Sequence, residues 1–246
     1  GLNEFPLLHT PMYFLLSHLS FLDICYSSVI VPQLLETLDT DKMVITFDRC
    51  ATQFFFFTLC ASTECFLLAV MAYDRYVAVC NPLLYATAMT PQTRLGLVAG
   101  AYAGGMLNSV IRTGCTFSIS FCKSNQVDFF SCDLPLLLQL SCSDTSVNEL
   151  VIFAVVGVLA IIPLSGILIS YSHIGASILR VPSTTGLRKA LSTCGSHLSV
   201  VSLFYGTVIA VYYSSSLSDS SDKAMIASLM YTAVTPMLNP LIYTLR

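Results

Sequence analysis

Charged residues are scarce. Only 10% of the 246 residues are Asp, Glu, Lys or Arg, where a soluble domain carries about 25%. With 55% hydrophobic residues and a mean hydropathy of +0.75, this excludes an ordinary soluble fold and points to a membrane protein. Tryptophan is absent, and the aromatic share rests on 15 Phe and 12 Tyr. The chain has no GxGxxG, no phosphate loop and no run of selectivity-filter glycines. Its few basic residues form no nucleic-acid surface. Four scattered histidines and no zinc-type spacing give a structural metal no support. No internal repeat is visible, so the inverted halves of a secondary transporter have no counterpart. The opening GLNEFPLLHTP lacks the basic flank, apolar core and cleavage site of a signal peptide. Both ends read as cut.

What is present is a series of apolar runs. Six of them, near 12–38, 50–76, 94–113, 147–179, 190–213 and 224–245, approach the roughly 20 residues that a bilayer core demands. Pro32, Pro163, Pro236 and Pro240 fall in or near these runs, where a bundle can absorb the freed carbonyls. Loop charge sets the orientation. The connection 180–189, RVPSTTGLRK, carries Arg180, Arg188 and Lys189 with no acid, and 77–93 is flanked by Arg75 and Arg94. The opposite connections carry Asp39, Asp41 and Asp48, three aspartates in 114–146, then Asp219 and Asp222. The positive-inside rule therefore places 77–93 and 180–189 in the cytoplasm.

That orientation puts Cys122, Cys132 and Cys142 in an outer connection, where disulfides form. Cys50 opens a run on the same side. Four cysteines permit three pairings, and spacing does not choose among them. Cys25, Cys60, Cys65, Cys80 and Cys194 lie in or beside apolar runs and read as reduced packing residues.

Four segments carry a resemblance. LHTPMYFLLSHLSFLD (8–23), MAYDRYVAVCNPLLY (71–85), KALSTCGSHLSVVSLFYG (189–206) and PMLNPLIYTLR (236–246) occur in order, in register with the six runs. Together they resemble a vertebrate olfactory receptor of the rhodopsin-like G-protein-coupled class. The resemblance covers essentially the whole chain. It implies an all-α, seven-transmembrane helical bundle of which residues 1–246 hold six spans, with the family's first helix missing. It further implies an odorant receptor for sensory transduction that engages a stimulatory olfactory-type heterotrimeric G protein, raises cyclic AMP and resides in the plasma membrane of olfactory cilia.

The same resemblance assigns residues. It pairs Cys50 with Cys132 and Cys122 with Cys142. QVDFFSCD around Cys132 departs from the family by lacking a preceding His, which counts against metal binding by that loop. Asp23 and Glu64, isolated carboxylates in apolar runs, match an internal polar network with Asn239 that can hold a sodium ion. A packed polar pair or protonated acids are the alternative reading. Ligand-binding positions fall on Phe57, Thr58, Ala61 and Ser62, then Val155 and Leu159, then Phe204, Tyr205, Ile209 and Tyr212, with Tyr231 last. Each has ordinary helix packing as its alternative. A mostly apolar cavity with a few hydroxyls suits a small volatile organic molecule. None of these positions is Lys or Arg, which disfavours strongly acidic odorants.

At the cytoplasmic end, Asp74, Arg75 and Tyr76 resemble one activation element, and Asn239, Pro240 and Tyr243 its partner. Tyr171 and His197 join them, while Arg188 and Lys189 either contact an intracellular partner or serve membrane topology. From the residues alone, Arg75 is either a charged helix stop or a switch whose guanidinium fork exchanges partners. Ser196 and His197 are adjacent without an orienting acid, so catalysis has no support. A transporter, or a nonfunctional receptor fragment, is the competing reading.

Overall fold

The computed structural model describes residues 11–40, 45–119, 126–127, 132, 134–139, 141–142, 144–179 and 194–209. Seven helices and one strand pair are described. They are α1 (Pro11–Thr40), β1 (Ile45–Thr46), α2 (Phe47–Cys80), α3 (Tyr85–Ala88), α4 (Pro91–Phe117), β2 (Gln126–Val127), α5 (Leu134–Gln139), α6 (Ser146–Ile178) and α7 (Cys194–Ile209). The strands pair antiparallel, Ile45 opposite Val127 and Thr46 opposite Gln126.

The apolar runs near 12–38, 50–76, 94–113 and 147–179 coincide with α1, α2, α4 and α6, each helix running past its run at one or both ends. Backbone hydrogen bonding continues into the aqueous layers, where hydropathy no longer registers it. Of these helices, Pro11–Gln33 within α1, all of α2 and all of α6 are long and apolar enough to cross a membrane. That is three spans among the described residues, where the sequence predicts six. The long α4 falls short because Arg94, Arg112, Asn108 and five glycines dilute its apolar content. α7 is shorter, and the expected last span lies outside the described residues.

Start signals are local. Thr90 caps α4 by accepting from the Thr93 N–H at 3.2 Å, with Pro91 in the first turn. Before α6, the exposed Asp144 carboxylate accepts from the Ser146 hydroxyl and, at 3.0 Å, from the Ser146 N–H, which together lower its pKa. Pro163 sits buried inside α6, and its missing N–H frees the carbonyl of Leu159 one turn earlier.

The helix α2 is the axis of the bundle, packed against α1, α4 and α6. Leu15, Leu19, Leu22 and Tyr26 of α1 meet Cys60, Leu67 and Met71 of α2 in one cluster. Cys65, Leu68 and Ala72 meet Ile167 of α6 and Val200, Val201 and Phe204 of α7 in another. The α2–α4 seam is the tightest. A Cβ on Gly105 would collide with Thr63 Oγ1 and stand 3.1 Å from the Thr63 nitrogen, so only glycine lets these backbones approach.

Candidate functional site

The bundle has two chemically distinct ends. At one, the Cys50–Cys132 disulfide joins α2 to the connection before α5, with Cα atoms 5.5 Å apart. One turn along α2, the buried Gln53 accepts the Cys132 N–H through Oε1 at 3.1 Å. Phe54, Leu134, Leu137 and Ile152 close a small core beneath this attachment. Cys142 is disulfide-bonded as well, whereas Cys122 lies outside the described residues. Cys25, Cys60, Cys65, Cys80 and Cys194 are reduced thiols outside any disulfide, as is Cys115.

Below that cap stand the predicted ligand positions. Phe57 packs on Tyr26, their ring centroids 5.1 Å apart, and Thr58 is fully buried. Ser62 donates to the Thr58 carbonyl at 2.7 Å and accepts from the Asn108 amide of α4. Ala61, Val155 and Leu159 are partly buried. Across the bundle Phe204 is buried against Cys65 and Leu68, while the Tyr205 hydroxyl lies 3.0 Å from Cys65 Sγ. Ile209 is 64% exposed and does not share that packing. Tyr212 and Tyr231 lie outside the described residues.

Asp23 and Glu64 are both buried in α1 and α2. Among the described residues no three His, Cys, Asp or Glu side chains gather as a metal site, and Asn239 lies outside them. Of the expected sodium network the described residues supply two buried carboxylates, oxygen donors of the kind a hard cation takes.

The other end holds the Asp74 group. The Asp74 carboxylate is buried and accepts the Tyr85 phenol O–H of α3 at 2.8 Å. Burial, then the Asp74 charge, push the Tyr85 phenol well above its usual pKa, so it remains a donor. Sequence reasoning missed this bond, although Tyr85 closes the quoted MAYDRYVAVCNPLLY segment. Arg75 makes no ion pair among the described residues, and its buried Nε has no hydrogen-bond partner. Its charge reaches Tyr171 and His197. Tyr76 packs on His173 of α6 with ring centroids 5.6 Å apart. Leu83, in the connection to α3, is 96% exposed.

His197 ties three helices together. Its Nε2 lies 3.1 Å from the Leu68 carbonyl of α2, and its Nδ1 lies 2.7 Å from the Tyr171 hydroxyl of α6. A carbonyl only accepts, so Nε2 carries the proton; in the neutral ring Nδ1 then accepts from the Tyr171 O–H. The two rings stack at 18°. Both imidazole nitrogens are thereby satisfied in a fully buried position. Arg188, Lys189, Asn239, Pro240 and Tyr243 lie outside the described residues.

The profile of the olfactory receptor family matches residues 5–246. Human olfactory receptor 9I1 is 55% identical over 239 residues, 97% of this chain and 76% of that receptor. Mouse olfactory receptor 9S13 is 51% identical over 239 residues, covering 97% and 72%. Human olfactory receptor 9Q2 is 52% identical over 241 residues, covering 97% and 76%. A profile spanning nearly the whole chain, relatives above half identity and an α-helical bundle capped by a disulfide agree: this chain belongs to the olfactory receptor family, non-catalytic rhodopsin-like receptors of the plasma membrane.

Proposed function

We propose that this odorant receptor converts binding of a small volatile organic molecule near its disulfide end into activation of a stimulatory olfactory-type G protein, raising cyclic AMP in olfactory cilia. Relatives longer than this chain support a seven-helix bundle in which residues 1–246 supply six spans. The ligand contacts Phe57, Thr58, Ala61 and Ser62 of α2, Val155 and Leu159 of α6, and Phe204 and Tyr205 of α7. Ile209, Tyr212 and Tyr231 complete the wall in this reading. The second disulfide pairs Cys122 with Cys142. A sodium ion, when bound, neutralises Asp23 and Glu64 with Asn239 as a further oxygen donor.

The observation that carries the output assignment is Arg75. It is a cation without an ion pair among the described residues, next to a three-helix clasp whose hydrogen bonds exchange partners without breaking a covalent bond. An odorant that binds the active arrangement better shifts the population toward it. α7 then parts from α2 and α6, and Arg75, Tyr76 and the exposed Leu83 meet the G protein. Asn239, Pro240, Tyr243, Arg188 and Lys189 act at the same face.

In cells, an odorant panel is expected to raise cyclic AMP through the receptor. Arg75→Ala should lower potency on the order of tenfold or more, with surface expression unchanged. Full signalling by that variant would sink the output role of Arg75.

A further inference from the structure

The seam between α2 and α4 is polar where a membrane bundle has least reason to be. Its α4 side runs through Gly105, Asn108, Ser109, Arg112 and Thr116, a helical stripe facing α2. Contacts fix that facing: Asn108 bonds Ser62, Ser109 Oγ donates to the Phe55 carbonyl at 2.6 Å, and the Arg112 guanidinium lies 5.5 Å from the Phe54 ring centroid. Ser109 is fully satisfied by that bond. Its neighbours toward the disulfide end are not.

Toward the disulfide end both helices carry buried polar atoms without a hydrogen-bond partner among the described residues. They are Arg112 Nε, Thr113 Oγ1 and Thr116 Oγ1 on α4, with Thr58 Oγ1 and Gln53 Nε2 on α2. Thr116, Thr58 and Gln53 are 0%, 1% and 8% exposed. A buried group left without a partner is destabilising, and native proteins leave few of them. All five are N–H donors or hydroxyls able to donate, and one belongs to a permanent cation with no ion pair among the described residues. Arg112 is only partly exposed. Its guanidinium lies by Phe54, a ring 2% exposed directly beneath the disulfide cap and on the same helix as Phe57 and Thr58.

We infer that Arg112 makes this seam an anion subsite of the ligand pocket, selecting odorants that carry a carboxylate. The inference rests on the odorant-receptor reading and deepens it. A carboxylate brings up to four acceptor positions to a planar fork of N–H donors, with the Thr116 and Gln53 groups completing its shell. This departs from the expectation, drawn from the predicted wall positions alone, that strongly acidic odorants are disfavoured. Sequence position alone hides Arg112, because only the rotation of α4 against α2 brings it over Phe54.

The test uses the receptor in cells with matched short-chain carboxylic acids, their methyl esters and their alcohols. The acid should be the most potent of each set. Arg112→Gln should weaken the acid about tenfold or more while leaving ester and alcohol potencies in place, and Arg112→Lys should retain part of the acid response. Thr116→Val supplies an independent variant, expected to weaken the acid alone. A receptor that answers esters and alcohols but not acids overturns the anion subsite and leaves the receptor reading intact. Equal acid potency in wild type and Arg112→Gln also overturns it, as expected if Arg112 serves only lipid headgroups or bound water. Silence toward the whole panel at verified surface expression overturns both readings.

Discussion

The two ends of α2 treat buried polarity differently. At the Asp74 end, Asp74, Tyr85, Tyr171 and His197 are all hydrogen-bonded to protein groups, and Arg75 Nε is the exception, without a hydrogen-bond partner among the described residues. Toward the disulfide end, Gln53 Nε2, Thr58, Arg112, Thr113 and Thr116 keep atoms without partners among the described residues. A satisfied network stabilises one arrangement and resists change until something outcompetes it. An unsatisfied one lowers stability and gains whenever a molecule completes it. The contrast suits an end that holds state and an end that receives a signal.

The largest test of this contrast removes the cap. Cys50→Ser should cost about 2–5 kcal/mol of stability and cut surface expression severely, as read by antibody labelling of intact cells. Unchanged expression would show that the Gln53 contact alone suffices. A smaller effect is expected at the satisfied end. His197→Phe keeps the ring but orphans the Tyr171 hydroxyl and the Leu68 carbonyl's extra bond, costing about 1–3 kcal/mol. It should lower the thermal midpoint of the detergent-solubilised receptor and raise signalling without odorant, and an unchanged basal level would remove His197 from the restraining clasp. The smallest effect belongs to the unsatisfied end. Thr58→Val replaces an orphaned hydroxyl with a methyl of the same shape, so stability should shift by less than about 0.5 kcal/mol. Odorants bearing a hydroxyl should nevertheless lose potency a few-fold in dose–response curves. A stability loss as large as that of His197→Phe would erase the distinction between the two ends.

Much of this was legible in the residues. The apolar runs located α1, α2, α4 and α6, because burial in lipid demands length and apolarity along the chain itself. The prediction of α4 as a span shows the limit of that logic. Its Arg112 and glycines lower hydropathy for the sake of a neighbour, and a neighbour is not written in linear order. Charge placement sets an expected orientation for the same local reason. Tyr85 on Asp74, Asn108 on Ser62 and Arg112 over Phe54 were not legible, since each depends on the rotation and axial shift of one helix against another. His197 was identified through resemblance, but its two partners, one a backbone carbonyl 129 positions away, required the folded bundle.

Cys132 is fastened to α2 at two points, by its sulfur to Cys50 and by its N–H to Gln53. A flap on a single pin can swivel; a flap on two pins, one helical turn apart, cannot. Cys132 must travel with α2 as one body, so a slide of α2 along its axis would carry this point of the connection with it.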